Sequence, residues 1–379
     1  MAARASLAFL GQEDVILSSE PQLTYFVEKY KGATPYAQRT DEVKFTVDAI
    51  NFGSEFTTVF PRAGDLITKM TFKINFPMNS LGSSSVLESV GTLMINYVEL
   101  YVGGNLVERL WGDFLALKFD LEVPQSKQGA LQGLIGKGTT VAAHTYTVPL
   151  PFSILERGLP VCAFKEDVFV RIALRPSTFF TSPPVVLTDS VLASIDTEFT
   201  YLSDPEIDFI RRSPSLYIFE QVQRVEFFAP QGKNAITCPV NFINSVKELF
   251  MYIQNDSAKG YDFSNGAGQD QLTNLSLYFN STDRISSDVG TPIFLRNIQA
   301  LEFHTRVPNY LFYMYSFSLD PESDKPTGHV NFSRIDKQIL NLNLSPSPAN
   351  RNIFIWAVSY NFMKISDSTA DVIFKNFTG

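Results

Sequence analysis

The sequence predicts an all-β chain made of two tandem, similar antiparallel β-sandwiches behind an N-terminal arm. Aromatic residues are abundant, with 33 Phe and 15 Tyr, and such side chains suit the half-buried surface of a sheet better than a helix. Gly and Pro occur 21 times each and cut the chain into short segments, as frequent turns between strands require. A set of strand-like segments in the first half also returns in the same order in the second. The length of 379 residues suits two cores of middling size. A hydrophobic fraction of 45% against 18% charged argues against disorder and coiled coil. The net charge of −8 argues against a surface that grips nucleic acid by neutralising phosphates.

Only Cys162 and Cys238 are present, one in each half. Neither a disulfide framework nor a zinc site fits so sparse a spacing, so both read as small buried hydrophobes in a reducing compartment. The N-terminal MAARASLAFLG has an apolar patch shorter than a signal-peptide core, and no window reaches the length that spans a bilayer. Asn-x-Ser/Thr triplets at Asn255, Asn274, Asn280, Asn331, Asn343 and Asn376 carry no weight without entry to the secretory pathway.

Residues 1–44 read as the arm, mixing polar and aromatic residues without a sustained period, with a short helical turn expected near Phe26 to Tyr30. Its aromatics Tyr25, Phe26, Tyr30 and Tyr36 would form a sizeable apolar patch, so the arm is expected to pack against its own subunit or a neighbour. The first sandwich is expected over 45–204. Its strands begin with VKFTV from Val43, FTTVF, and DLITKMTFKINFP, where Phe72, Ile74 and Phe76 share one face. Val98 to Val102 and Leu106 to Arg109 flank a Gly103-Gly104-Asn105 hairpin turn. Trp111 to Phe119 has apolar residues four apart, as a helix would. Residues 124–145 read as a polar, Gly-rich surface loop. Thr145 to Val161 holds a strand and a corner, Asp167 to Leu174 alternates cleanly, and VLASIDTEFTYLS closes the half. The charged, proline-flanked segment 205–214 is the expected linker, a short helix capped by Asp204.

The second sandwich, 215–379, repeats this grammar. AGDLITKMTFKINFP is echoed by INSVKELFMYIQND, VELYVGGNLVERL by LSLYFNSTDRI, and LPFSILERGLPV by YSFSLDPESDKPTG. DVFVRIAL is echoed by KQILNLNL, and IDTEFTYL by IFIWAVSYNFMKI. Leu100-Tyr101 answers Leu277-Tyr278 at an offset of 177 and Phe152-Ser153 answers Phe317-Ser318 at 165, a period that means two similar domains and not a solenoid. About eight short strands per half suit a jelly roll, in which two antiparallel sheets pack face to face.

Few patterns suggest chemistry. GLIGKGTT lacks the first Gly of a phosphate loop and has Gly138 where Ser or Thr should follow Lys137. His144, His304 and His329 are scattered, and no nucleophile elbow occurs. Glu302, His304 and Arg306 could share a strand face and hold a carboxylate, but a polar face or subunit contact is the preferred reading. Arg211-Arg212 reads as a linker contact. No catalytic, cofactor-binding or metal-binding residue is assigned, no cofactor is expected, and the chain does not read as an enzyme.

The stretch Pro326 to Asp336, PTGHVNFSRID, resembles the signature in the last third of the double jelly-roll major capsid proteins of large nucleocytoplasmic DNA viruses, the phycodnavirus and iridovirus type. Gly11 to Asp14, Pro21 to Phe26, Thr34 to Ala37, LYIFEQVQ, SVKELFMYIQND and the run from His304 to Asp336 resemble the same family. Thr327, His329 and Lys337 depart from its pattern, and the chain is short for it, which implies short outer loops. The resemblance implies a virion protein forming homotrimeric capsomers of six-sided outline that tile an icosahedral shell, assembled in host cytoplasm. Implied partners are neighbouring capsomers, minor capsid proteins and a penton protein. An inner membrane could lie beneath the shell, with no transmembrane segment in this chain and no direct contact with nucleic acid. The alternative is a β-sandwich carbohydrate-binding or host-attachment protein. Within the signature, Arg334 and Asp336 are expected to be paired, or bonded to backbone, at the corner before the strand Lys337 to Leu344.

Overall fold

The computed structural model describes residues 4, 8, 11–22, 24, 26, 31–47 and 49–375. Residues 1–35 and 36–379 are separate compact units. The first contains a helix at Gln12–Ser18, whose first turn is closed by a hydrogen bond from the Gly11 amide to Asp14 Oδ2 at 2.9 Å. The helical turn expected near Phe26 to Tyr30 lies, but for Phe26, outside the described residues.

The second unit holds both sandwiches. In the first, β1 (Ala37–Lys44), β8 (Ala193–Tyr201), β3 (Leu66–Asn75) and β6 (Thr145–Pro149) form one sheet in that order. Opposite it lie β2 (Glu55–Val59), β7 (Val168–Leu174), β4 (Ile95–Val102) and β5 (Asn105–Trp111). All of these pairings are antiparallel. The second sandwich has the same order eight strands on: β9 (Ser215–Ala229), β16 (Arg351–Ser366), β11 (Ser245–Asn255) and β14 (Tyr313–Ser316) face β10 (Ala235–Pro239), β15 (Gln338–Leu344), β12 (Leu272–Phe279) and β13 (Thr282–Ile285). Segments matched by sequence therefore occupy matching places. The β4–β5 turn uses Gly103 and Gly104 at φ 58° and 78°, and the β12–β13 turn places Asn280 and Ser281 at φ 49° and 75°. Both turns curl the chain in the sense that a right-twisted hairpin needs.

Three local expectations change. The arm does not run to residue 44, because Ala37–Lys44 is a strand registered along its whole length with β8. Its side chains are nearly all exposed, so backbone bonding holds it at the sheet edge and no apolar alternation announces it. Residues 128–135, expected as loop, form a helix that ends on Gly136 at φ 72°. The linker helix Asp204–Arg212 has Ser203, not Asp204, at its N-cap position, with no side-chain cap, and Asp204 instead supplies a carboxylate to its first turn.

The two rolls meet face to face through one sheet and one helix. Along β11, Val246, Leu249, Met251 and Ile253 point into the second roll's own core, while Phe250 and Tyr252 point the other way and join the core that fills the first roll. β16 divides similarly, with Ile353, Ile355 and Ala357 inward and Phe354, Trp356 and Val358 toward the first roll. A strand with both faces buried loses the polar alternation of a half-exposed one, and β11 and β16 are accordingly buried along nearly their whole length. The helix Gly112–Glu122 lies against this second face. It buries every residue but Lys118 and Glu122, as expected of a helix whose one polar edge is short. The Phe114 ring meets Phe250 at 5.7 Å and Trp356 at 6.3 Å.

Gly112 sets the start of this helix. A Cβ there would stand 2.2 Å from the Ile95 carbonyl oxygen and 2.3 Å from that of Thr92, both fixed backbone atoms. Gly112→Ala is expected to destabilise the body by about 3 kcal/mol, the upper range for overpacking. A urea midpoint unchanged from the parent would contradict this placement of the helix.

Candidate functional site

The residues singled out by sequence gather in two places, the corner at 326–336 and a polar seam between the rolls. At the corner, Thr327 Oγ1 accepts from the Asp320 amide and donates to its carbonyl, both at 2.8 Å. Gly328 has φ 148°, and a Cβ there would come 2.9 Å from the Phe317 carbonyl. Val330–Asn331 pairs with the start of β11. Phe332 is buried among Phe279, Phe317 and Phe242, with ring centroids 5.2, 5.7 and 6.3 Å away. Ser333 Oγ accepts from the Asn244 amide at 2.8 Å. Buried Gln338 then ties the corner shut, donating to the carbonyls of Phe242 at 3.0 Å and Phe332 at 2.8 Å.

Arg334 and Asp336 do not share in this. Both are exposed and make no hydrogen bond or ion pair among the described residues. The expected pairing assumed an extended segment, but Phe332–Arg334 is a 3-10 turn that directs Phe332 inward and Arg334 out. The fold-bearing residues of the signature are Thr327, Gly328, Phe332 and Ser333.

The seam is built on Asp120. With Asp113 seven residues before it, this carboxylate lies on one side of the buried helix. Fully buried Asp120 accepts from the Asn309 amide at 2.6 Å and the Tyr310 amide at 3.1 Å, both in the second roll. Lys137 Nζ reaches it at 2.5 Å and Arg306 at 3.6 Å. Lys137, the lysine of the Gly-rich GLIGKGTT stretch, thus has its ammonium occupied by a structural carboxylate and faces no phosphate site. Asp113 accepts from the Tyr252 hydroxyl at 2.7 Å, and Tyr261 donates to the Gly112 carbonyl at 3.1 Å. Gln221 of β9 donates to the Val107 carbonyl of β5 at 2.9 Å.

A second cluster flanks the helix. Glu108 accepts from the Ser153 amide at 2.9 Å and its hydroxyl at 3.0 Å, and Ser153 Oγ accepts from the Glu220 amide at 2.7 Å. Burial raises Glu108 to about 8, although Lys118 and Ser153 oppose the shift. Lys247 is held by Glu220 and lies 3.7 Å from Glu248. His304 stands between Glu248 at 3.3 Å and Glu322 at 3.0 Å. Burial works against its charge, but the ion pair with Glu248 and the hydrogen bond with Glu322 prevail and raise its pKa to about 9. Glu302, His304 and Arg306 were expected on a strand face. Instead Glu302 lies on the helix Gln299–Phe303, and His304 and Arg306 follow it to bind the carboxylates of the seam. Arg211 donates to the Cys162 carbonyl at 3.1 Å, a linker contact. Among the described residues no group of His, Cys, Asp and Glu could hold a metal ion, and no helix is long and apolar enough to cross a membrane.

A sequence model described as "Large eukaryotic DNA virus major capsid protein" matches residues 206–370, and one described as "Major capsid protein N-terminus" matches 24–204. The major capsid protein of Chrysochromulina ericina virus is 33% identical, with 98% of this chain and 99% of the relative covered. The chain belongs to the major capsid protein family of large eukaryotic DNA viruses. The resemblance drawn from the signature is therefore correct, and the place of this capsid chain is the virion shell. The alignment with the Chrysochromulina ericina virus protein runs over 583 positions, so that relative carries long insertions that this chain of 379 residues lacks. The major capsid protein of Pyramimonas orientalis virus is 24% identical, covering 98% of each chain. The fold is that of the PBCV-1 virus capsid quasi-atomic model, with a TM-score of 0.81 at 19% identity, covering 93% of this chain and 100% of that one. The family builds shells and is not a family of enzymes.

Missed from sequence were Asp120, Asp113 and Glu108, three acids in apolar surroundings. The one legible signal was the spacing of seven between Asp113 and Asp120 on a mostly apolar helix.

The seam makes stability depend on pH. The His304 pKa is raised above the ordinary 6.5, so its contribution is complete below about 6.5 and is lost as pH rises through about 9. From that shift the contribution is on the order of 3 kcal/mol. Glu108, also raised, acts in the same direction, its contribution complete below about 4.5 and lost as pH rises from there through about 8. Melting temperature is expected to fall between pH 7 and 9.5, and less steeply in His304→Gln. Parallel pH curves for parent and variant would show that His304 does not carry the effect.

Proposed function

We propose that this capsid protein acts as a homotrimeric capsomer, pseudo-hexagonal in outline, that tiles an icosahedral shell. The observation that carries the reading is the identical strand order of two rolls joined by a buried seam. Three such subunits about one axis present six similar corners, which a single-roll subunit can offer only as a hexamer. In this reading residues 1–35 are an arm toward neighbouring components, 36–204 and 215–379 are the rolls, and 205–214 is the linker. Exposed Ile293, Leu301 and Leu319 supply apolar area for contacts between subunits. Minor capsid and penton proteins are the expected further partners. The net charge of −8 supports a shell that leaves the genome to other components, above any inner membrane. The role proposed is structural, without catalysis.

Size-exclusion chromatography with light scattering tests this on purified chain. The expected mass is three times the 42.5 kDa of one chain. A stable monomer at micromolar concentration would sink the reading.

A further inference from the structure

The junction within the chain joins two surfaces that the repeat supplies twice. The first roll gives its edge strand β5 and the helix Gly112–Glu122 that follows it. The second receives them on the outer face of β9, β16 and β11, where Gln221 donates to the Val107 carbonyl and the rings of Phe250 and Trp356 meet Phe114. Because strand order is the same in both rolls, each surface has a counterpart on the other roll. The counterpart of the helix is the stretch made of Ile293–Ile298 and Gln299–Phe303, which follows the edge strand β13. Each helical stretch begins beside a glycine pressed on the neighbouring strand. A Cβ on Gly290 would stand 1.9 Å from the Leu275 carbonyl oxygen of β12, as one on Gly112 would stand 2.2 Å from that of Ile95 in β4.

Neither counterpart is covered within the chain. Thr282, Asp283 and Arg284 of β13 are exposed. Ile298 and Leu301 are 42% and 75% exposed, while Leu295 packs into the core of its own roll. The receiving counterpart is the outer face of β1, β8 and β3, where Thr71 pairs with Asp196 as Phe250 pairs with Trp356. These pairs match in register: Pro149 and Met314, the next-strand partners of Thr71 and Phe250, lie 165 residues apart, the offset of Phe152 and Phe317. A groove of about 450 Å³ runs beside Thr71, with half-buried Thr68, Pro149 and Glu198 also in its wall. The two receiving faces differ in chemistry for a physical reason. Phe250 and Trp356 are covered once a single chain folds, whereas Thr71 and Asp196 face water until another copy arrives, and an aromatic face there would aggregate first.

We infer that the outer face of the first roll receives β13 and the helical stretch 293–303 of a second copy of this chain, repeating between subunits the junction made within one. In this arrangement β13 lies along β1, and Ile298 and Leu301 lie over Thr71 and Asp196. The contact is heterologous, since each copy gives one surface and receives on the other, and it propagates until a ring closes. The number of copies rests on the homotrimer reading, in which three junctions within chains alternate with three between them.

Light scattering on two full-length variants, alone and mixed, tests the inference. Leu301→Asp spoils the giving surface and Thr71→Arg the receiving one, and neither residue belongs to a buried core. Each variant alone should need about a hundredfold higher concentration than the parent to assemble. Mixed one to one where each alone is monomeric, they should form a species of two chains, because one intact junction remains between them and no ring can close. Should Thr71→Arg not fold by circular dichroism, Thr40→Arg replaces it, since exposed Thr40 pairs with Glu198 on the same face. Variants that assemble like a trimeric parent, or a mixture that stays monomeric or regains the full trimer, overturn the inference and leave the homotrimer standing. A monomeric parent overturns both.

Discussion

Burial of the Gly112–Glu122 helix on all but its Lys118–Glu122 edge couples the two rolls, because a helix with so little solvent side must be packed by both neighbours at once. Its apolar residues meet Phe250 and Trp356 across the junction, and its acids meet backbone amides and the Tyr252 hydroxyl there. Sliding one roll past the other would strip donors from a carboxylate that has no water to replace them. Removing one partner of such a buried charge costs several kcal/mol, even where the intact group adds little net stability. The seam thus acts more as a device for fixing geometry than as a source of stability.

The second roll bears the mark of this arrangement in its strands. Its sheet β9-β16-β11-β14 serves two cores, one on each face, and so cannot be an exterior surface. The opposite sheet keeps the ordinary alternation, with exposed Ala235, Thr237 and Pro239 against buried Ile236 and Cys238. For a shell-building family, a fixed angle between rolls matters because errors in that angle would add up around the shell. The ionic cluster at Glu108, Lys247 and His304 serves the same junction from the other side of the helix.

Much of the fold was legible because repetition needs no energetics to detect: matched strand segments and matched hairpin turns occupy the same places in both rolls. The signature was legible as a resemblance, yet its residues were weighed wrongly. Charge drew attention to Arg334 and Asp336, while Thr327, Gly328, Phe332 and Ser333 hold the corner through backbone contacts and burial that no sequence spacing reveals. The strand Ala37–Lys44 escaped notice because an exposed edge strand has no apolar period. The seam escaped for a different reason. Asp120 and Arg306 lie far apart in the chain, and each alone looks like an ordinary surface charge.

The central claim is that the second roll needs the first to cover the face carrying Phe250, Tyr252, Phe354 and Trp356. Expression of residues 215–379 alone, followed by near-ultraviolet circular dichroism and binding of a hydrophobic dye, tests it most directly. Loss of the fixed aromatic signal with strong dye binding and aggregation is the predicted result. A soluble fragment that keeps the parent's aromatic signal for this roll and binds no dye would contradict the account.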